Sequence, residues 1–466
     1  MKTLSFFTTI LLGIFLADCS QAGGSRLLFD GTNADMWQTT GNVSVENGLL
    51  TLKGSNARAV LQNGKYKNFE LNLEMRTTSG GKGTIGFHTD LSAAKGYQVA
   101  INNDREDPVW WKMTGSLLSV RNLTKSFVKE NDWFQMSIRV EGHFVTVTIN
   151  GEPVVEYIEP ADFYRIAPNQ TALLSEGTFA LTSSGTGEIQ IKSILVDVIQ
   201  PNEIAQNIAD QLAQSIDEQS DEIIKLHQED FPVLDYHIHI KGGFDDREAA
   251  KLSRKVGINY ASSPNCGIGF PITDDAGVME FLEASRSLPF ILAMQAEGRE
   301  WVTTFSPEVR AEFDYVFTDA LTFTDTKGRR TRLWMRSETW IEDEQEYMDL
   351  IVDKICDVLE EPMDIYVNPC FLPPQMDDRY DEFWTEARMN RFVEALAKSG
   401  KAMEINNRYK IPNKAIIQKA KAAGVKFTFG TNNAGANDVG LMEYAIQMKK
   451  ECGITAADMY KPKIKI

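Results

Sequence analysis

The chain has 466 residues, too many for one ordinary core, so two or three domains are expected. Apolar residues make up 43% and the formal net charge is −17, a globular composition with an acidic balance. That balance argues against a nucleic-acid backbone as partner, which would need a basic face, and leaves neutral or cationic ligands open.

Residues 1–22 read as an export signal. Lys2 is a short positive start, and Leu4 to Ala17 is an apolar stretch too short to span a bilayer as a stable helix. Two endings compete. Leu16-Ala17-Asp18-Cys19 resembles a lipoprotein box, with Cys19 as the residue to be lipidated, and Ser20-Gln21-Ala22 reads as a small-x-small cleavage site. The expected location is the periplasm, or the outer membrane through a lipid on Cys19, and no other run is long enough to span a membrane. The remaining cysteines, Cys266, Cys356, Cys370 and Cys452, form no C-x-x-C and read as free thiols.

Residues 25–199 alternate apolar and polar positions with turn signals between them, as in Phe69-Glu70-Leu71-Asn72-Leu73-Glu74-Met75. Asn47-Gly48, Asn63-Gly64 and Asn150-Gly151 are hairpin-turn dipeptides. Many short strands without long helical patterns predict an all-β sandwich. Over 200–230, Ile204, Ile208, Leu212, Ile216, Ile223 and Leu226 recur at helical spacing and predict a linker helix.

From 231 to 466 the pattern becomes strand–helix–strand. Seven apolar runs of strand length, at 233–240, 258–262, 290–296, 315–323, 364–371, 402–406 and 426–431, are separated by helical stretches. The pattern predicts parallel strands with right-handed crossovers, as a seven-stranded α/β barrel or, alternatively, a doubly wound sheet. No strand runs into a Gly-x-Gly-x-x-Gly loop, which argues against a dinucleotide site.

In such a barrel chemistry sits where strands end. The first strand ends in His237-Ile238-His239, and the period of two places both imidazoles on one face. Two neutral imidazoles converging on one point suit Zn, Mn or Fe. Glu297 and Asp319, at later strand ends, are the carboxylates that would complete one divalent metal site; the plainer alternative pairs them with Arg299 or with Arg329, Arg330 and Arg332. Asn368, Glu404, Asn406 and Asn432 stand at the remaining strand ends.

Residues 232–445 resemble the polymerase-and-histidinol-phosphatase (PHP) barrel, a relative of the amidohydrolase barrels. The resemblance rests on Asp235-Tyr236-His237-Ile238-His239, Asp314-Tyr315-Val316, Glu404-Ile405-Asn406, and Gly424-Val425-Lys426 leading into Gly430-Thr431-Asn432-Asn433. It implies a metal-dependent phosphoesterase. Asn368-Pro369 stands where the family has His-Pro, and no histidine follows His239, so the family's trinuclear centre is reduced to at most one metal.

Residues 27–198 resemble the 3-keto-disaccharide hydrolase domain, a concanavalin-like jelly roll. The residues that carry the likeness are Leu28-Phe29-Asp30-Gly31-Thr32 with Trp37, Glu46-Asn47-Gly48-Leu49-Leu50, Gly96-Tyr97-Gln98-Val99, Asp132-Trp133 and Ile149-Asn150-Gly151. The resemblance implies recognition or cleavage of disaccharides. His88, Tyr97, Gln98, Trp110 and Trp111 are the residues expected to line a sugar-binding face, with Asn368 and Asn406 binding sugar in the barrel.

The leading expectation is an exported hydrolase or lyase acting on glycosides, with 3-keto-disaccharides or related modified sugars as substrates. Glu404 is the expected base, and Arg299 and Asn432 orient substrate. The alternatives are a non-catalytic glycan-binding envelope protein whose barrel is a scaffold, and a metal-dependent phosphoesterase.

Overall fold

The computed structural model describes residues 21–241 and 243–465. The export segment and Cys19 lie outside them. The chain divides into two compact units. The first runs to Asp104 and continues through Met113–Arg121 and Val128–Ile224. The second comprises Arg105–Lys112, Asn122–Phe127 and the chain from Lys225 onward. Trp110 and Trp111 therefore belong to the second unit.

The first unit is a curled antiparallel β-sandwich. Its strands are hydrogen-bonded in the order Tyr97–Asn102, Lys82–Thr89, Thr178–Ser183, Leu49–Leu61, Glu188–Gln200, Phe69–Thr77, Phe134–Glu141, Phe144–Ile149 and Glu152–Ile158. Two more strands lie off this path: Gln21–Phe29 beside Glu188–Gln200, and Trp37–Glu46 beside Leu49–Leu61. The alternation read from the sequence is the alternation of burial. Along Phe69–Thr77 every odd-numbered residue is buried and every even-numbered one is half-buried. Phe69 packs edge-on against Phe87 and Phe179 with centroids 5.9 and 4.8 Å away.

Asn47-Gly48 and Asn150-Gly151 turn hairpins with both residues at positive φ, the geometry that matches strand twist. Asn63-Gly64 differs: Asn63 is left-handed, but it follows Leu61 and joins no adjacent pair of strands.

The expected single linker helix is two helices, Glu203–Ser215 and Glu222–Gln228. The first is capped by Asn202, whose side chain accepts from the Ala205 N–H at 2.7 Å. It ends at Ile216, which is extended. Beyond Ile216, Glu218 turns into the sandwich and takes the Arg165 guanidinium at 2.9 Å and the Tyr157 hydroxyl at 2.8 Å. A buried ion pair outweighs continued helical spacing there, because a lone buried charge costs several kcal/mol.

The second unit is a closed seven-stranded parallel barrel, not a doubly wound sheet. Its strands are Leu234–Ile238, Asn259–Ser262, Ile291–Ala296, Tyr315–Thr318, Ile365–Tyr366, Ala402–Asn406 and Phe427–Gly430. Each pairs with its neighbour in chain order, and Asp235 pairs with Phe429 to close the ring. Two strands are shorter than their apolar runs. The fourth stops at Thr318, and Thr322–Thr324 forms a separate hairpin with Arg330–Arg332. The fifth stops at Tyr366 because Asn368 and Cys370 take positive φ, which leaves the ladder. The cysteines of the described residues are free.

Truncating Phe69 to Ala removes the ring shared by Phe87 and Phe179. It is expected to cost about 3–5 kcal/mol of stability, read as loss of hydrogen-exchange protection in the sandwich strands.

Candidate functional site

The site grows from the strand ends of the barrel. Asp235, fully buried, anchors it. Its Oδ1 accepts from the Thr431 N–H at 2.9 Å and the His237 N–H at 3.2 Å, and the Thr431 hydroxyl donates to Oδ2. Burial pushes the Asp235 carboxyl up to about 7. These bonds tie the first strand to the end of the seventh and fix the backbone that carries His237.

His237 and Glu404 meet in the barrel interior. His237 Nδ1 lies 2.7 Å from Glu404 Oε1. Glu404 Oε2 accepts from the Asn368 backbone N–H at 2.7 Å and from Asn406 Nδ2 at 3.0 Å. A carboxylate can only accept, so the proton of this pair sits on His237 Nδ1 and leaves Nε2 as a lone pair. Nε2 is buried without a hydrogen-bond partner. Gly430 makes the approach feasible, since a Cβ there would collide with Glu404 Oε1 and His237 Cβ.

An asparagine network surrounds the pair. Asn368 Oδ1 accepts from Asn406 Nδ2 at 3.0 Å and Asn432 Nδ2 at 2.8 Å, and Asn368 Nδ2 donates to Asp319 Oδ2 at 2.9 Å. The acceptor-only carboxylates set every amide in this chain one way round. Asn432 Oδ1 therefore faces His239 Nε2 at 3.0 Å, which must carry the hydrogen. Burial drives the His239 pKa down to about 3, so His239 is neutral. Asn368 and Asn432 both take positive φ, at 48° and 47°, a conformation that asparagine tolerates better than most residues.

Glu297 and Asp319 form an acidic pair. Glu297 Oε1 accepts from Asn265 Nδ2 at 2.6 Å and Gln295 Nε2 at 3.1 Å. Asp319 Oδ1 accepts from the Leu321 N–H at 2.9 Å. Burial, then repulsion from Asp319, pushes Glu297 up to about 7, and burial raises Asp319 as well. Two buried carboxyls that repel one another retain a proton between them near neutrality. Arg299 stands beside them but is engaged, with Nη1 2.9 Å from Glu361 Oε2 and Nη2 2.9 Å from Thr318 Oγ1.

The barrel thus brings His237, His239, Glu297, Asp319, Asn368, Glu404, Asn406 and Asn432 into one site. Asn368 and Asn406 were expected to bind sugar. Instead, both lone pairs of the Asn368 carbonyl and both Asn406 amide hydrogens are taken by protein groups. Asn265, Asp235, Thr318, Glu361 and Gly430 complete the site and were not singled out for roles. Asn265 had a signal, a polar residue just past a strand end.

The metal expectation can be set against this geometry. Among the described residues, no group of three or more His, Cys, Asp or Glu side chains is gathered so as to hold a metal ion. His237 Nδ1 and His239 Nε2 are turned toward Glu404 and Asn432. Among the described residues, His237, His239, Glu297 and Asp319 are thus not gathered as the expected metal centre.

The sandwich residues are placed differently. His88 is buried, with Nε2 3.0 Å from Lys67 O and Nδ1 accepting from the Ser175 N–H at 3.1 Å. Both ring nitrogens serve the backbone, and burial holds its pKa down at about 4. Tyr97 is buried, and its hydroxyl joins Glu159 and Arg165. Trp110 and Trp111 are buried edge to face, with centroids 5.8 Å apart, and Trp111 Nε1 donates to Asp230 at 3.0 Å. Gln98 alone of this set is exposed. The barrel loops carry exposed Ile268, Trp334, Tyr409 and Leu441, each on a segment that follows a barrel strand.

The similarities to known proteins fall in the first part of the chain. Residues 24–197 match the family described as the 3-keto-alpha-glucoside-1,2-lyase-like domain. No curated protein matches the chain. Similar solved structures include two from Parabacteroides distasonis described as glycosyl hydrolases. One is 16% identical, covering 38% of this chain and 94% of its own, with a TM-score of 0.35. The other is 20% identical, covering 38% and 99%, with a TM-score of 0.31. A carbohydrate-binding module from Bacillus subtilis is 12% identical, covering 35% and 95%, with a TM-score of 0.27.

Replacing Gly430 by Ala is expected to part His237 from Glu404 and to destabilise the protein by about 1–3 kcal/mol. Loss of the low-field Nδ1 proton resonance of His237, together with a lowered melting temperature, would register both effects.

Proposed function

We propose that the protein is an envelope enzyme that cleaves glycosides of oxidised sugars by acid–base chemistry in the barrel. The observation that carries this reading is the buried lone pair of His237 Nε2, oriented by Glu404 and set near an acidic pair that retains a proton. The match of residues 24–197 supports the substrate class, a 3-keto-glucoside.

A ketone at C3 acidifies the C2 hydrogen, so an imidazole suffices as base. His237 Nε2 takes the C2 proton. The electrons of that C–H bond form the C1=C2 double bond, the C1–O bond breaks, and the departing oxygen takes a proton from Glu297. The products are an unsaturated keto sugar and an alcohol; addition of water to the double bond would complete a net hydrolysis. Glu404 is the group that orients His237 and stabilises its imidazolium, in place of the base role expected of it, because both its oxygens are already bonded. Exposed Trp334 and Tyr409 offer faces on which sugars stack.

A second reading, a glycan-binding protein with the barrel as scaffold, draws on the asparagines. Their hydrogen-bonding capacity is largely consumed within the protein.

The deciding assay is release of alcohol from an aryl 3-keto-glucoside by the purified protein. His237→Ala is expected to lower kcat by about 10²–10⁴-fold. Wild-type rates in that variant would end the barrel reading, and binding without turnover by the native protein would favour the second. Because Glu297 must be protonated, kcat should fall as the pH rises through about 7. Glu297→Gln should abolish that alkaline limb along with most of the activity.

A further inference from the structure

Asn368 is the residue where the base and the acid of the site are joined. It follows the fifth barrel strand at φ 48° and is buried. Its backbone N–H meets Glu404 Oε2 at 2.7 Å, and Glu404 holds His237. Its Nδ2 meets Asp319 Oδ2 at 2.9 Å, and Asp319 neighbours Glu297. Its Oδ1 receives Asn406 and Asn432. Asn406 returns to Glu404 Oε2 at 3.0 Å, and Asn432 continues to His239 at 3.0 Å. The left-handed backbone is what allows one residue to point its N–H at Glu404 and its amide at Asp319.

Chemistry requires an amide here. An aspartate would set a third carboxylate against Asp319 and Glu404, and would offer Asp319 an acceptor where it needs a donor. A leucine would leave Asn406, Asn432 and Asp319 each lacking a buried partner.

We propose that Asn368 is a positioning residue that fixes the His237–Glu404 base and the Asp319–Glu297 acid in one mutual geometry, and that it does not contact substrate. The inference rests on the barrel reading given above.

The test uses the full chain with Asn368→Asp and Asn368→Gly. The aspartate keeps the shape and reverses the donor; the glycine keeps the backbone turn and its N–H and removes the amide. Two readouts are taken, steady-state kinetics on the aryl 3-keto-glucoside and the low-field Nδ1 proton of His237 by NMR. Asn368→Asp is expected to lower kcat by roughly 10²-fold with KM little changed, and to shift or lose the His237 resonance. Asn368→Gly is expected to keep the wild-type circular dichroism spectrum while kcat stays down by about tenfold. A raised KM with unchanged kcat would overturn the proposal, since that is the mark of a substrate-binding residue. Wild-type kinetics and an unmoved resonance in both variants would also overturn it. If the native protein turns over no keto-glycoside, the barrel reading fails by itself. The resonance then still decides: its persistence in Asn368→Asp overturns the positioning role, and its loss supports it.

Discussion

The hydrogen bond between His237 Nδ1 and Glu404 Oε1, 2.7 Å long and sealed from solvent, is the contact on which the site depends. It joins the first barrel strand to the sixth across the interior, and it needs the barrel closed to exist. Asp235 and Thr431 hold the first and seventh strands in register behind it. Gly430 leaves room for it. The Glu404 carboxylate fixes which imidazole nitrogen carries hydrogen, and together with Asp319 it sets the direction of each surrounding amide. A site assembled this way is held in place by the protein itself, which is the condition the proposed general base requires.

The same network explains why the site contains so many asparagines. An amide is neutral and two-sided, so it can bridge carboxylates without adding charge to a buried cluster. Glu404, Asp319 and Glu297 are three acidic groups in a small volume. Amide donors from Asn368 and Asn265 favour the ionised forms of Asp319 and Glu297, and burial opposes ionisation of both.

Much of this was legible in the sequence. The seven barrel strands appear as apolar runs, and the His-x-His parity placed both imidazoles together, with ring centroids 5.1 Å apart. The gathering of strand-end residues follows from barrel topology once the strands are counted. The roles were harder to read. A period of two says that Tyr97 and Gln98 face opposite ways, but not which face is the core, and Tyr97 proved to be buried. His88 carries no signal that both its nitrogens will serve the backbone. Trp110 and Trp111 follow a sandwich strand in sequence but pack in the second unit, a tertiary outcome that local pattern does not encode. Asn368 and Asn406 read as ligands for a sugar because an asparagine's partners are invisible until the fold supplies them.

The proposed reaction turns on His237 removing a proton from carbon. Its most direct test is deuterium exchange at C2 of a 3-keto-glucoside in heavy water, followed by proton NMR with native protein and with the Glu404→Gln variant. Loss of the C2 proton signal on the timescale of turnover is expected with native protein, at a rate lowered many-fold in the variant. A C2 proton that survives while the glycoside is cleaved would contradict it, because the bond would then be breaking without abstraction from carbon.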